Sequence, residues 1–547
     1  MNVSNDDVFW ADQIASECIA RVTREKNVVT CRGGGSPSGT KHIGNLFDAT
    51  KAYIVYKAVK DKGTKARMIF THDDRDPLRT VPSRLATLDA KWVTVDDVLE
   101  KEISRFLGYS YVSIPDPLDC CDSWAQHFST IWENGVFALG LNDVQFFSTN
   151  DLYNEGKFDL YLILALKKIE KVRKLIQKFQ KTKTADYIPF DAICDNCGRI
   201  IGHATGFDID NKTIKYTCKG KSLAGKYIIE GCNHSGETTF SGGKLPWTFE
   251  WPAQWGMFST TFEPFGKEHA EGSWPRGHVI AREIYGFEPP IPHIYEFLLV
   301  DGEKMSSRRG NVYITQEILD ILEPEVFMYF YTKRSKKQRN LDIKNIHLLV
   351  EDFEKAERVY FGAEEVNEKE RTNLIRMYET SVQEIPKALP LRIPYQLAAV
   401  ISEFNPYESE ERALELLRTT GHVKGKVSKD DLERVIKRLQ LAKVWAERFA
   451  QDMRIKVNDD VTDEIKKSLT EQQKEALRKL AEELKKKLTH DELYSKLYEI
   501  AKNHGLSSHE FFKASYNVLI SKDSGPRLAA FIFALDPQRV RKILEQV

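Results

Sequence analysis

Two short stretches of this chain carry residues suited to phosphate chemistry. Pro37-Ser38-Gly39-Thr40-Lys41-His42-Ile43-Gly44-Asn45 combines small residues with a histidine and two glycines. Far downstream, Lys304-Met305-Ser306-Ser307-Arg308 offers a lysine, two hydroxyls and an arginine, with Arg309 next. The first stretch follows an apolar run, Val28-Val29-Thr30-Cys31, and three glycines, and it opens a helical pattern from about Leu46 to Val59. A strand, a glycine-rich loop and a helix start present backbone N–H groups and the positive end of a helix dipole to an anion. The second follows Phe297-Leu298-Leu299-Val300. Glycine-rich turns and basic loops are each common, so it is the pairing, in this order and this far apart, that is informative.

The elements that must position these residues can be read next. Lys65-Ala66-Arg67-Met68-Ile69-Phe70-Thr71 reads as a second strand, running into His72-Asp73-Asp74-Arg75-Asp76-Pro77-Leu78-Arg79. One crossover helix between parallel strands sets their ends side by side, and ligands of open α/β sheets bind at those ends. The glycine loop and the acidic loop are therefore expected to share a cleft. Three carboxylates in four positions repel one another. Either they belong to a solvated turn, with Asp76-Pro77 starting a helix, or Asp73 holds an ammonium group of a substrate.

A different chemistry lies between the two phosphate-type stretches. Cys194-Asp195-Asn196-Cys197-Gly198 is followed by Cys218 and by Gly231-Cys232-Asn233-His234. A C-x-x-C-G turn brings two thiolates to one metal, and two ligands from a second loop complete the tetrahedron zinc takes with N or S donors. Cys194, Cys197 and Cys218 are the expected ligands with Cys232 as the fourth, His234 and His203 being spares. A redox reading would leave Cys218 and Cys232 idle. With four protein ligands the site is structural. Thr213 to Tyr216 and Lys226 to Ile229 read as ribbon strands, and Asp151 to about Thr184 reads as charged helix. Cys18, Cys31, Cys120 and Cys121 read as reduced, structural thiols.

Past this insertion, three of the nine tryptophans (Trp247, Trp251 and Trp255) fall together, ahead of Pro264-Phe265-Gly266-Lys267-Glu268-His269. Trp251 and Trp255 read as core. Trp247 is placed to wall a pocket for the methylenes and cation of a lysine-like ligand. The Gly266 turn is open enough for polar side chains to reach a ribose or an amino acid.

The composition excludes little and fits an enzyme of several domains. The chain has 547 residues, 41% hydrophobic and 29% charged, with no formal net charge. A balanced total says little about nucleic acid, which needs local basic patches such as Lys333 to Arg339. No apolar run approaches the ~18 residues of a membrane span, and the first residues lack a secretory pattern. A cytoplasmic protein without membrane contact is expected. Beyond Leu348 strand patterns vanish; Asp352 to Tyr360 and Glu464 to Leu488 read as amphipathic helices.

The two phosphate-type stretches resemble the HIGH and KMSKS motifs of class I aminoacyl-tRNA synthetases. With Asp73-Asp74-x-Asp76-x-Leu78-Arg79 and Val81-Pro82, the cysteine insertion, Trp251-Pro252-x-x-Trp255 and Gly266-Lys267-Glu268-His269, the chain is similar to class I, archaeal-type lysyl-tRNA synthetases from about Asn27 to Lys344. That resemblance implies an α/β fold: a Rossmann catalytic domain with an inserted zinc-binding module, then an all-α anticodon-binding domain. Its segments would be 1–110 and 244–320 for the catalytic halves, 111–243 for the insertion with its zinc module at about 186–243, 321–370 for a stem-contact junction, and 371–547 for the helical domain.

The resemblance also implies roles. His42, Asn45 and Lys304 would be catalytic. ATP, arriving with Mg²⁺, would be held by Pro37, Gly39, His42, Gly44, Glu268, Lys304 and Ser306. L-lysine would be held by Gly34, Ser36, Asp73, Trp247 and His269, and the macromolecular partner would be tRNA(Lys), served by a monomer. Arg32 stands where glutamyl-tRNA synthetases carry a substrate-binding arginine, so a glutamyl enzyme is the alternative, with a non-catalytic tRNA-binding paralogue behind it. Three aspartates in the second-strand loop and Asn45 in place of a second histidine favour lysine.

Overall fold

In a computed structural model of the chain, residues 9–22, 28–179, 185–223, 227–305, 311–333, 338–403, 409–419, 423, 425–451, 457–525 and 527–547 are described. Five parallel strands form the central sheet: β1 (Val28–Gly35), β2 (Lys65–His72), β3 (Val144–Ser148), β4 (Phe262–Gly266) and β5 (Ile291–Tyr295). Their order across the sheet is β5-β4-β1-β2-β3. The helix α1 (Leu46–Asp61) makes the crossover from β1 to β2, and its face of Leu46, Phe47, Ala49, Ala52, Ile54, Val55 and Val59 is buried. β1 runs through the three glycines rather than stopping at Cys31, paired with β2 from Val28↔Lys65 to Gly35↔His72. Gly33 is needed there, because a Cβ would lie 2.7 Å from the Asp48 carbonyl oxygen of α1.

After β3 the chain returns to the far side of β1 to lay down β4. The strand order reverses between these two, and the crevice outside their carboxyl ends is where such sheets bind ligands. The helix α2 (Trp247–Phe258) leads into β4 and buries Glu250 and Gln254, one turn apart, together with Trp251 and Trp255. The helix start at Asp76-Pro77, part of the solvated-turn alternative, is not formed. The Asp76 carbonyl accepts from Tyr111 N, while Leu78 exchanges backbone bonds with Gly108 and Tyr109, so this segment is spent on pairing with 108–111.

The insertion contains helices Thr149–Asn154, Asp159–Lys167 and Ile169–Phe179, then an antiparallel five-stranded ribbon. Its strands run in the order Ser235–Thr239, Thr213–Cys218, Ile200–Asp208, Asp191–Ile193 and Gly243–Lys244. One continuous core joins Ile201, Ile214, Tyr216 and Leu245 of this region to Leu162, Leu166 and Ile176 of the helices and to Phe249 and Ala253 of α2.

The chain forms two compact units. The first comprises residues through Leu319 together with Pro324–Asp342 and Gly362–Ile385, and the second comprises Asp320–Glu323, Ile343–Phe361 and Pro386–Val547. Residues 371–385, grouped by sequence with the helical domain, thus pack in the first unit. The second unit is helical in its described residues. Inside it Arg438 is 1% exposed and bonds to Glu323, Glu354 and the Ile393 carbonyl. The single helix expected from Glu464 to Leu488 is two, Asp463–Ser468 and Glu471–Glu483. Thr470 and Gln473 form a capping box that restarts the helix. Such a box satisfies amide donors no longer helix can use. The same device opens helices at Thr489/Glu492 and Ser507/Glu510.

Candidate active site and metal centres

A cavity of about 510 Å³ opens at the switch point between β1 and β4. Its lining includes Gly34, Ser36, Gly39, His42, Gly44, Asn45, Glu268, His269 and Lys304, nine of the residues expected to touch substrates. The backbone of the first motif is pinned from outside. Trp124 Nε1 donates to the Pro37 carbonyl at 2.8 Å, Ile43 N donates to the Tyr313 carbonyl at 2.9 Å, and the Tyr331 hydroxyl donates to the Ile43 carbonyl at 2.7 Å. Pro37 therefore serves the wall through its carbonyl and does not itself line the cavity.

His42 has a defined tautomer. Gly44 N donates to its Nδ1 at 3.0 Å, which leaves the proton on Nε2 as the outward donor. Burial holds its pKa below the ordinary histidine value, so the ring stays neutral. Asn45 Oδ1 accepts from His42 N at 3.0 Å and fixes the turn ahead of α1. Across the cavity, Leu298–Val300 and Glu303–Lys304 form a hairpin whose two-residue turn, Asp301 and Gly302, has positive φ at both positions (49° and 81°). Asp-Gly is the favoured pair for that turn type. The exposed Lys304 ammonium rests 4.1 Å above the Phe297 ring, and Met305 next to it lies against Gly44, where a Cβ would come within 2.9 Å of its methyl carbon. Ser306 is outside the described residues.

Behind the glycine wall lies a second layer that the sequence did not reveal. Arg32, 1% exposed, bonds to Glu263, to the Gln254 side-chain oxygen and to Thr71 Oγ1. Glu263 also accepts from Trp251 Nε1 at 2.6 Å. Asp73, 3% exposed, accepts from Gln254 Nε2 at 3.0 Å, so it sits one layer behind the cavity and not on its surface as expected. Lys244, from the last strand of the ribbon, bonds to Asp76 and to Glu250, at 3.0 Å for the latter. Four carboxylates here meet two basic side chains. Burial, reinforced by Asp76, pushes the Asp73 carboxyl up to about 6, and burial pushes Glu250 up to about 7. Lys244 would be lowered by burial, but Asp76 and Glu250 raise it above the ordinary lysine value.

Trp247 stacks on Trp251 (ring centroids 5.2 Å apart, planes within 15°) and does not line the cavity. His269 does line it, 5.5 Å from the Trp251 ring, and burial lowers its pKa.

The four cysteines of the ribbon come together as expected. The Sγ atoms of Cys194, Cys197, Cys218 and Cys232 all lie within 4.8 Å of one another, with Cys194–Cys232 at 3.5 Å and Cys197–Cys218 at 3.8 Å. Tetrahedral zinc with bonds of ~2.3 Å sets its sulfurs about 3.8 Å apart. The donor set fits. Neither spare histidine joins it: His203 Nε2 bonds to the Gly220 carbonyl at 2.8 Å, and the His234 ring faces Tyr216.

Cys120 and Cys121, read as inert thiols, belong to a second polar cluster with Asp116 and His127, again within 4.8 Å. His127 Nε2 donates to the Ala86 carbonyl at 2.9 Å, and its Nδ1 lies 3.1 Å from Cys120 Sγ and 3.2 Å from Asp116 Oδ2. The Ala86 carbonyl orients the ring so that Nδ1 points at the other members of the cluster, as the outer partner of a metal-ligating histidine does. The signal was present as Asp116-x-x-x-Cys120-Cys121 with His127 at the start of the next helix, but the spacing belongs to no common knuckle.

With this geometry in hand, residues 8–384 match the family described as tRNA synthetases class I (K), and residues 411–547 match an anticodon binding domain. The chain belongs to the class I tRNA synthetases. Among relatives, a lysine–tRNA ligase of Natronomonas pharaonis is 37% identical over 529 residues, 96% of this chain and 95% of that protein. Another, from Methanocaldococcus jannaschii, is 31% identical over 546 residues, 96% of this chain and 98% of that one. A solved glutamate tRNA ligase from Elizabethkingia meningosepticum is 12% identical, with a TM-score of 0.43 over 95% of this chain and 98% of its own. The pinned first motif and the Lys304 hairpin line the same cavity. Among the described residues, no helix is long and apolar enough to cross a membrane.

Proposed function

We infer that this chain activates L-lysine with ATP and transfers it to the 3′ end of tRNA(Lys). The observation that carries lysine over glutamate is the pairing of Arg32 with Glu263. A buried guanidinium whose charge is already met by a carboxylate attracts an acidic substrate weakly, and the surplus of carboxylates around it favours a cation. Full-length likeness to lysine–tRNA ligases supports the same choice.

In the first step a carboxylate oxygen of lysine attacks the α-phosphorus of ATP and pyrophosphate leaves. In the second, the lysyl-adenylate acylates the terminal adenosine, at the 2′-hydroxyl by the class I pattern. Such chemistry depends on positioning and on neutralising phosphate charge. We assign the phosphates to His42 Nε2–H and the backbone around Gly44 and Asn45, with Gly39 leaving them room. Lys304 meets charge on the leaving pyrophosphate, helped by Ser306. Glu268 receives the ribose, while Gly34, Ser36 and His269 border the amino acid. Asp73 supplies the negative potential for its ammonium, and Trp247 backs the wall through Trp251. Mg²⁺ enters with ATP and offsets phosphate charge.

Cys194, Cys197, Cys218 and Cys232 are proposed to hold a structural Zn²⁺ as thiolates. Asp116, Cys120, Cys121 and His127 are proposed as a second structural metal centre, bracing the Trp124 helix that holds Pro37. The reading carries with it a cytoplasmic monomer, which gel filtration tests for size. Charging of tRNA(Lys) transcripts with labelled lysine tests the function: acid-stable charging of tRNA(Lys) is expected, and charging of tRNA(Glu) with glutamate alone would overturn it.

A further inference from the structure

Lys41 is a second lysine in the cavity, and no role has been given to it. It stands beside His42 in the first motif, but its side chain turns inward. Its Nζ donates to the Gly35 carbonyl at 3.2 Å and lies 4.8 Å from the ring centroids of both Phe70 and Trp132. An ammonium has three donors, and among the described residues only this one is spent on a hydrogen bond. The carboxylates facing it are Asp73 from the second layer, Asp48 of α1 and Glu133. Burial pushes it down to about 8, which still leaves a cation at neutral pH. Lys41 therefore occupies the seam between the acidic layer, which draws the ammonium end of the amino acid, and the motif that cradles phosphate. At that seam the carboxylate of one substrate meets the α-phosphorus of the other.

We propose that Lys41 is a further catalytic residue whose ammonium binds an anionic oxygen at the reacting centre, either of the lysine carboxylate or of the α-phosphoryl group. The assignment rests on the lysine-activating reading above. In the step it serves, a carboxylate oxygen forms a bond to the α-phosphorus, and the bond from that phosphorus to the oxygen bridging to the β-phosphate breaks. Pyrophosphate leaves with the electron pair, and no proton need move. Negative charge on the non-bridging oxygens is concentrated in the transition state, where a cation already aimed and partly desolvated by two aromatic rings has its largest effect. Lys304 approaches from the opposite side on a hairpin, so the two cations would divide the work between the centre and the leaving group.

The test is lysine-dependent ATP–pyrophosphate exchange by the full-length protein and its Lys41→Met and Lys41→Arg variants. Methionine keeps the length and the apolar contact with Phe70 and Trp132. For Lys41→Met we expect kcat to fall about 10²-fold, with an unchanged melting transition, and Lys41→Arg to recover part of it. Lysinol, which lacks the carboxylate, separates the two oxygens. If the carboxylate is the partner, wild type prefers lysine to lysinol in binding and Lys41→Met erases the preference. If the phosphoryl oxygen is the partner, the preference persists and only kcat falls. Wild-type kcat and lysine KM in Lys41→Met would overturn the proposal. So would a loss that in both variants accompanies unfolding, which would make Lys41 a packing residue. Exchange by the wild type with lysine is the separate check on the reading beneath it.

Discussion

Arg32 illustrates how the meaning of a buried charge is set by its partner. Seen in sequence it stands where a glutamate-binding arginine would, and only the fold reveals Glu263 against it. Removing one member of a buried pair strands the other, at a cost of ~3–5 kcal/mol. Glu263→Gln should therefore destabilise the catalytic unit by about that amount in urea unfolding and weaken lysine binding, because an unpaired guanidinium then faces the cation. Asp73 yields a prediction in pH. Its carboxyl is raised to about 6, so the charged form is present above that value and is lost as pH falls through it. The KM for lysine should rise below pH 6, approaching about tenfold per unit. Asp73→Asn should raise KM at pH 7.5 and flatten this limb, and an unchanged KM would make the carboxylate structural. Lys304, exposed over Phe297, is held to act mainly in the transition state. Lys304→Ala should slow single-turnover adenylate formation by about 10²–10³ while ATP and lysine still bind.

At the scale of elements, what was legible depended on whether a pattern is local. The order of strand, glycines and helix in β1 and α1, the ribbon strand from Thr213 and the Cys194–Cys197 knuckle all announce themselves within a few residues and are found, though β1 runs on through the glycines. Tyr227–Glu230 is a strand but pairs with Gly220–Leu223 outside the ribbon, and Lys226 is outside the described residues. The helix break at Leu469-Thr470 was equally local, written as Thr470-x-x-Gln473, but a run of strong helix formers hid it. Asp76-Pro77 carries a helix-start signal that its pairing with 108–111 overrides. The layer of Arg32, Asp73, Lys244, Glu250 and Glu263 was not legible, because its members come from five segments that only the sheet order brings together. The ribbon gives the element-scale prediction. Metal binding by such thiolates is coupled to local folding, so Cys194→Ala should lose one equivalent of zinc by elemental analysis and expose the ribbon to proteolysis. Since Lys244 ends that ribbon against Asp76 and Glu250, lysine KM should rise with it.

For the molecule as a whole, the sequence revealed the class of fold and the succession of an α/β region and a helical one. It did not reveal how the chain divides into units, because the catalytic unit takes in Pro324–Asp342 and Gly362–Ile385 while the intervening helix Ile346–Tyr360 belongs to the other. Helical periodicity is the same in both, so no composition shift marks the exchange. The second unit is helical throughout its described residues, and its residues 411–547 match an anticodon binding domain. What unites these features is the claim that a cavity with a neutral His42 on one side and a carboxylate-rich layer behind it selects lysine. ATP–pyrophosphate exchange by the purified full-length protein, run separately with each amino acid, tests that claim most directly. Exchange driven by lysine, with glutamate near background, is the predicted result; exchange driven by glutamate and silent with lysine would contradict it.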